Sequence, residues 1–73
     1  MEKINETKNF EEIEIGHIYR RRDGQRAIVF YFNSIQCLYN CVLVGSMDFF
    51  TVHEDGRYLE SREDHNDLVY KIF

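Results

Sequence analysis

After residue 16 the chain is a succession of short apolar runs divided by small polar breaks. The runs are rich in Ile, Val, Phe, Tyr and Thr, the types that fit a pleated, half-buried surface. They predict strands over 17–22, 26–32, 36–44, 47–53, 57–61 and 68–72. The breaks carry turn chemistry. Asp23-Gly24 and Asp55-Gly56 suit two-residue type I′ hairpins, in which both central residues need positive φ, and Gly45-Ser46 suits type II′. Asn33-Ser34 is a fourth turn candidate.

Two-residue turns fix register. They set Tyr19 opposite Ile28, His17 opposite Phe30, Phe30 opposite Cys37, Ile28 opposite Tyr39, Cys41 opposite Phe50, Tyr39 opposite Val52, and Val52 opposite Leu59. One sheet face then reads Tyr19, Ile28, Phe30, Cys37, Tyr39, Cys41, Phe50, Val52 and Leu59, a continuous apolar surface expected to be the core. The other face carries Ile18, Arg20, Ala27, Val29, Tyr31, Leu38, Asn40, Val42, Phe49, Thr51, His53 and Tyr58. That is too apolar for a fully solvated face, so a terminal segment, a second protomer or a partner is expected to cover part of it. The fold expected is mainly β: a small antiparallel meander curled into an SH3-like or OB-like barrel of five to six strands. The runs Phe10–Ile15 and Leu68–Phe73 could complete it, with at most one short helix or 3₁₀ turn near Arg62–Leu68.

Length fixes one domain over 1–73, since 73 residues cannot enclose a second core. Residues 1–15 are read as a flexible segment or an edge strand. With 44% hydrophobic and 15% aromatic residues the chain is not of the disordered class. Its 13 acidic and 9 basic residues give a net charge of −4, the wrong sign for a strongly basic nucleic-acid module. Residues 1–16 are acidic and lack the apolar stretch of a signal peptide. Residues 27–47 are uncharged, but Asn33, Ser34, Gln36, Asn40, Gly45 and Ser46 interrupt any membrane span. Cys37 and Cys41, on one strand, would stand about 13 Å apart, beyond the roughly 7 Å a disulfide allows. Reduced thiols fit a cytoplasmic protein.

The chemistry-bearing residues do not assemble into a familiar catalytic or phosphate-binding motif. His53 and Tyr58 read as cross-strand neighbours above Thr51 and Glu60, a polar cluster or simply an exposed patch. Cys37, Cys41, His53 and His65 have the spacing C-x3-C-x11-H-x11-H, which is not a usual zinc spacing, and the two Cys read rather as small buried hydrophobes on the core face. No catalytic residue, metal site or cofactor is therefore expected. The most distinctive segment is Arg20-Arg21-Arg22-Asp23-Gly24-Gln25-Arg26. The two-residue turn sets Arg21 opposite Arg26, a destabilising like-charge pair. The tip is either neutralised internally, with Glu11, Glu12 and Glu14 as candidates, or turned toward an anionic partner. Tyr19, Tyr31 and Phe49 could add stacking. The carboxylates Glu54, Asp55, Glu60, Glu63, Asp64 and Asp67 could form an acidic surface able to occupy a basic groove, or serve solubility alone.

The pattern Gly16-x-x-Tyr19-Arg20-Arg21-Arg22-Asp23-Gly24, followed by Asp55-Gly56-Arg57-Tyr58 and Asp67-Leu68-Val69, resembles small accessory proteins encoded by phages and prophages. The resemblance implies a noncatalytic protein that binds and inhibits a host bacterial protein, with CRISPR or other defence components among the targets. The binding surface expected is Arg20, Arg21, Arg22, Arg26, Tyr31, Phe49 and Tyr58, where Tyr and Arg would act as anchors. Changing Arg21 and Arg26 together to Glu is expected to spare the fold and weaken binding. The alternative function is a small barrel that binds single-stranded nucleic acid; a homodimer is a third possibility.

Overall fold

The computed structural model describes residues 12–72. It contains β1 (Ile18–Arg21), β2 (Arg26–Asn33), β3 (Leu38–Leu43), β4 (Phe49–His53) and β5 (Leu68–Lys71). They form one antiparallel sheet in the order β4-β3-β2-β1-β5. Four consecutive strands make a meander, and the last returns to pair with the first. The sheet curls into a half-barrel, the small mainly-β architecture expected. Register breaks at Val29/Tyr31 and Arg20/Arg21 assist the curl, because a bulge bends its strand and increases its twist.

The turns are longer than two residues, and this changes the register. Arg21 N–H donates to Gln25 O at 2.7 Å and Gly24 N–H to Arg21 O at 2.9 Å, which closes the first hairpin over 22–24. Gly24 takes the left-handed position at φ +93, open to glycine because it lacks a Cβ. Tyr19 therefore pairs with Ala27 rather than Ile28, and Arg20 rather than Arg21 stands opposite Arg26. The next turn spans 34–37, where Asn33 Oδ1 accepts from Ile35 N and Gln36 N at 3.0 and 3.1 Å. Ile28 consequently faces Val42, and Phe30 sits in the bulge between Val29 and Tyr31. Only β3–β4 keeps the expected pairing, with Cys41 on Phe50 and Tyr39 on Val52.

A one-residue slip moves a strand's side chains to the other face. The core is accordingly Ile13, Tyr19, Ala27, Val29, Cys41, Leu43, Val52 and Leu68, with Tyr39 and Phe50 packed against it. Ala27 and Val29 belong inside, while Phe30 is exposed. Cys37 lies in the turn at φ +58 and is exposed, not on the core face. Both thiols are free.

The strand expected over 57–61 does not form, nor does a helix near 62–68. The run 57–67 is irregular because its polar backbone is drawn to one buried carboxylate. Asp67, 2% exposed, accepts from Tyr58 N at 2.8 Å, Asp64 N at 2.9 Å and Arg22 Nη2 at 3.2 Å. Arg22 N–H also donates to Asp67 O at 2.8 Å, and Asp23 N–H to His65 O at 3.0 Å. The segment is thus tied to the first hairpin instead of extending along β4. At the other end Ile13 is buried, Tyr19 Oη accepts from Glu14 N at 2.7 Å, and Gly16 N–H donates to Val29 O at 2.7 Å. The described part of the run Phe10–Ile15 is therefore coil, not a strand, with Ile13 alone of its residues buried in the core; Phe10 and Glu11 lie outside the described residues.

Candidate binding face

The face opposite the core is built row by row from the pairing. Its central row is Ile18, Ile28, Val42 and Phe49, each on the neighbouring strand from the last. Ile72 extends the row past β1, where its N–H donates to Ile18 O at 2.7 Å. One adjoining row holds Tyr70, Arg20 and Arg26. The opposite row holds Tyr31, Asn40 and Thr51. Phe30, two residues from Ile28, is on this face too, its ring 5.9 Å from that of Phe49 and edge-on to it at 67°. Phe49, Tyr31 and Phe30 are 73%, 56% and 45% exposed. None of these rows contains an Asp or Glu, although the chain has 13.

Four of the seven expected binding residues share this face: Arg20, Arg26, Tyr31 and Phe49. Arg20 is partly engaged, with Nη1 donating to Gly24 O at 2.8 Å and the guanidinium 5.9 Å from the Tyr70 ring centroid. Its buried Nε has no hydrogen-bond partner among the described residues. Arg26 is exposed. Sequence reasoning missed Phe30, which the shifted register of β2 places outward with Ile28; the bulge is what keeps Tyr31 on this face.

Arg21 and Arg22 serve the interior. Arg21 is 6% exposed, forms a two-bond pair with Asp23, and lies 4.9 Å from the centroid of the Phe50 ring. Arg22 pairs with Asp67 at 3.2 Å and Glu63 at 3.8 Å. The expectation that Arg21→Glu spares the fold is therefore corrected: the new carboxylate would be buried beside Asp23. Neutralisation comes from Asp23, Asp67 and Glu63, while Glu14 pairs instead with Lys71. Tyr58 lies outside the sheet, in the segment held by Asp67.

The electrostatics follow from these contacts. Burial works against the Asp23 carboxylate, but bonds from Arg21 and from Gln25 together hold its pKa below the ordinary value. The hydrogen bond from Lys71, and then its charge, lowers Glu14. Burial raises the Tyr19 phenol and pushes the Cys41 thiol up to about 12.

An open cleft of about 420 Å³ is lined by Gln36, Cys37, His53, Glu54, Asp55 and Glu60. It brings Cys37 and His53 to one cleft, while Cys41 is buried in the core and the His65 side chain is 74% exposed. Among the described residues no group of three or more His, Cys, Asp or Glu could hold a metal ion. Nor is any helix of the described residues long and apolar enough to cross a membrane. No family model matches the chain, and no curated protein or solved structure shows significant similarity to it.

Proposed function

We propose that the protein is a noncatalytic accessory protein of phage or prophage type that binds and inhibits a host bacterial protein, in the host cytoplasm, through the outer face of its sheet. The observation that carries this is the apolar row Ile18, Ile28, Val42 and Phe49 with Phe30 and Tyr31 exposed beside it. Protein interfaces have apolar, aromatic-rich centres with charges pushed to the rim, and Tyr and Arg are frequent anchors. Here Arg20 and Arg26 supply the rim. A host protein is the partner class, with components of CRISPR or other defence systems the targets that the phage resemblance implies.

A second reading rests on the same arginines: an acid-free face with aromatic side chains could stack single-stranded nucleic acid. The aliphatic centre favours protein, since Ile and Val offer no flat ring to a base. The test is an affinity pulldown from bacterial lysate, with and without nuclease, comparing the native chain with Phe30→Ala/Phe49→Ala and with Arg26→Glu. A stoichiometric host protein that survives nuclease and is lost with the aromatic variant is expected. Recovery that vanishes with nuclease, or oligonucleotide binding that falls steeply with salt, favours the second reading. A host protein captured equally by all three chains removes this face from the proposal.

A further inference from the structure

β4 is an edge strand of the described sheet, and among the described residues part of its hydrogen-bonding edge is unpaired. In an antiparallel ladder alternate residues turn both backbone groups toward the neighbour, and the residues between turn theirs away. Leu43 N–H donates to Asp48 O at 2.9 Å, so in this register Asp48, Phe50 and Val52 face β3. Phe49, Thr51 and His53 then direct N–H and C=O outward. His53 is satisfied, donating to Arg57 O at 2.8 Å and accepting from Gly56 N at 2.9 Å. Phe49 and Thr51 have no backbone partner among the described residues.

Natural sheets guard their edges with charge, proline, bulges or covering segments, because an open edge templates another strand. β5, the other edge, fits that rule: Lys71 pairs with Glu14, and its ladder with β1 is bulged. β4 reads Phe-Phe-Thr-Val-His, with no Lys, Pro or bulge. Its Phe49 is the most exposed aromatic of the outer face.

We propose that this edge pairs antiparallel with β4 of a second copy, about a two-fold axis at Phe50. In that register Phe49 of each copy stands opposite Thr51 of the other. The two residues exchange both bonds, so all the open backbone groups are satisfied symmetrically. Phe50 meets its counterpart on the axis, at the close-approach position where cross-strand aromatics interact. The end of the edge beyond His53 carries Glu54 and Asp55 as well as Arg57, which already pairs with Asp55 at 3.6 Å, so backbone pairing and not charge sets the register. The two sheets join edge to edge, leaving the outer faces side by side and free for the proposed partner. The contact is small, so the dimer is weak and concentration-dependent.

Sedimentation equilibrium from about 1 μM to 1 mM tests this. The mass is expected to rise from 8.9 kDa toward twice that value. Thr51→Pro removes an outward N–H without breaking a β3 bond, and is expected to hold the chain monomeric with its circular dichroism retained. Thr51→Lys puts the charge that guards natural sheet edges into the pairing lane and should move the midpoint several-fold to higher concentration. If Thr51→Pro does not fold, Thr51→Lys decides. A monomer at every concentration, or a dimer unmoved by Thr51→Lys, overturns the proposal. Neither result touches the pulldown with Phe30 and Phe49, which tests the outer face separately.

Discussion

At 2% exposure the Asp67 carboxylate has almost no water to fall back on, and it accepts from two backbone amides and a guanidinium. Replacing it with Ala removes the acceptor they share. Breaking a buried pair by deleting one partner costs about 3–5 kcal/mol, a large share of the ~5–15 kcal/mol that holds a domain together. Asp67→Asn keeps one acceptor oxygen and should lose less, about 1–3 kcal/mol. Urea unfolding of the two variants measures both. The thiols offer a second test at this scale. Cys37 is exposed and should react with a thiol reagent in the native protein, while buried Cys41 should react only on unfolding. The Cys41 thiol also keeps its proton up to about 12, whereas an unfolded thiol releases it near 8.5. The unfolded state therefore holds fewer protons in that window, so stability falls as pH rises through it. Cys41→Ala should shallow that fall in urea midpoints between pH 8 and 10; the buried Tyr19 phenol, also raised, leaves a remainder.

The strands were legible because β-branched and aromatic runs alternate with turn residues, and four strands of the meander and the C-terminal strand stand where those runs lie. Register was legible only at β3–β4. There the longer turn over 44–47 is centred where the two-residue turn would have been, so pairing is unchanged. At Asp23-Gly24 the added residue shifts pairing by one, because only Gly24 adopts the left-handed conformation and Asp23 does not. The bulge at Phe30 has no mark in the sequence. The register shift is testable in β2. Val29→Ala, at a fully buried position, should cost about 2 kcal/mol, whereas Phe30→Ala should cost about 1 kcal/mol or less. The opposite order would restore the two-residue register.

Over the whole molecule, the candidate face was legible as far as period-2 alternation reached. It placed Phe49 and Arg20 on one side, and Tyr31 with them only because the register slip and the bulge cancel, while the fate of Arg22 depended on Asp67, 45 residues away. No local pattern announces a contact of that separation. The same ion pairs shape the response to acid. Asp23 and Glu14 have folded pKa values below their ordinary ones. Their stabilisation is complete above the usual carboxylate range, near pH 4, and is lost as pH falls through the depressed values. Thermal unfolding should therefore shift to lower temperature below about pH 4, and Asp23→Asn should flatten that acid limb. The exposed Glu14–Lys71 pair should matter less, because solvent screens it.

The way the C-terminal segment is held has a practical consequence. Residues 60–63 are exposed, while Leu68 and Val69 are buried and 64–72 bond to Arg22, Asp23, Gly56 and Ile18. A chain cut after Ser61 should stay whole, its two pieces clasped by the β1–β5 ladder and the Asp67 carboxylate. Expressed apart, the longer piece and a peptide of 62–73 should find each other and regain native circular dichroism, whereas the peptide with Asp67→Ala should not. The protein would then act as a two-part reporter, in which a short tag on one protein and a truncated barrel on another signal that the two have met.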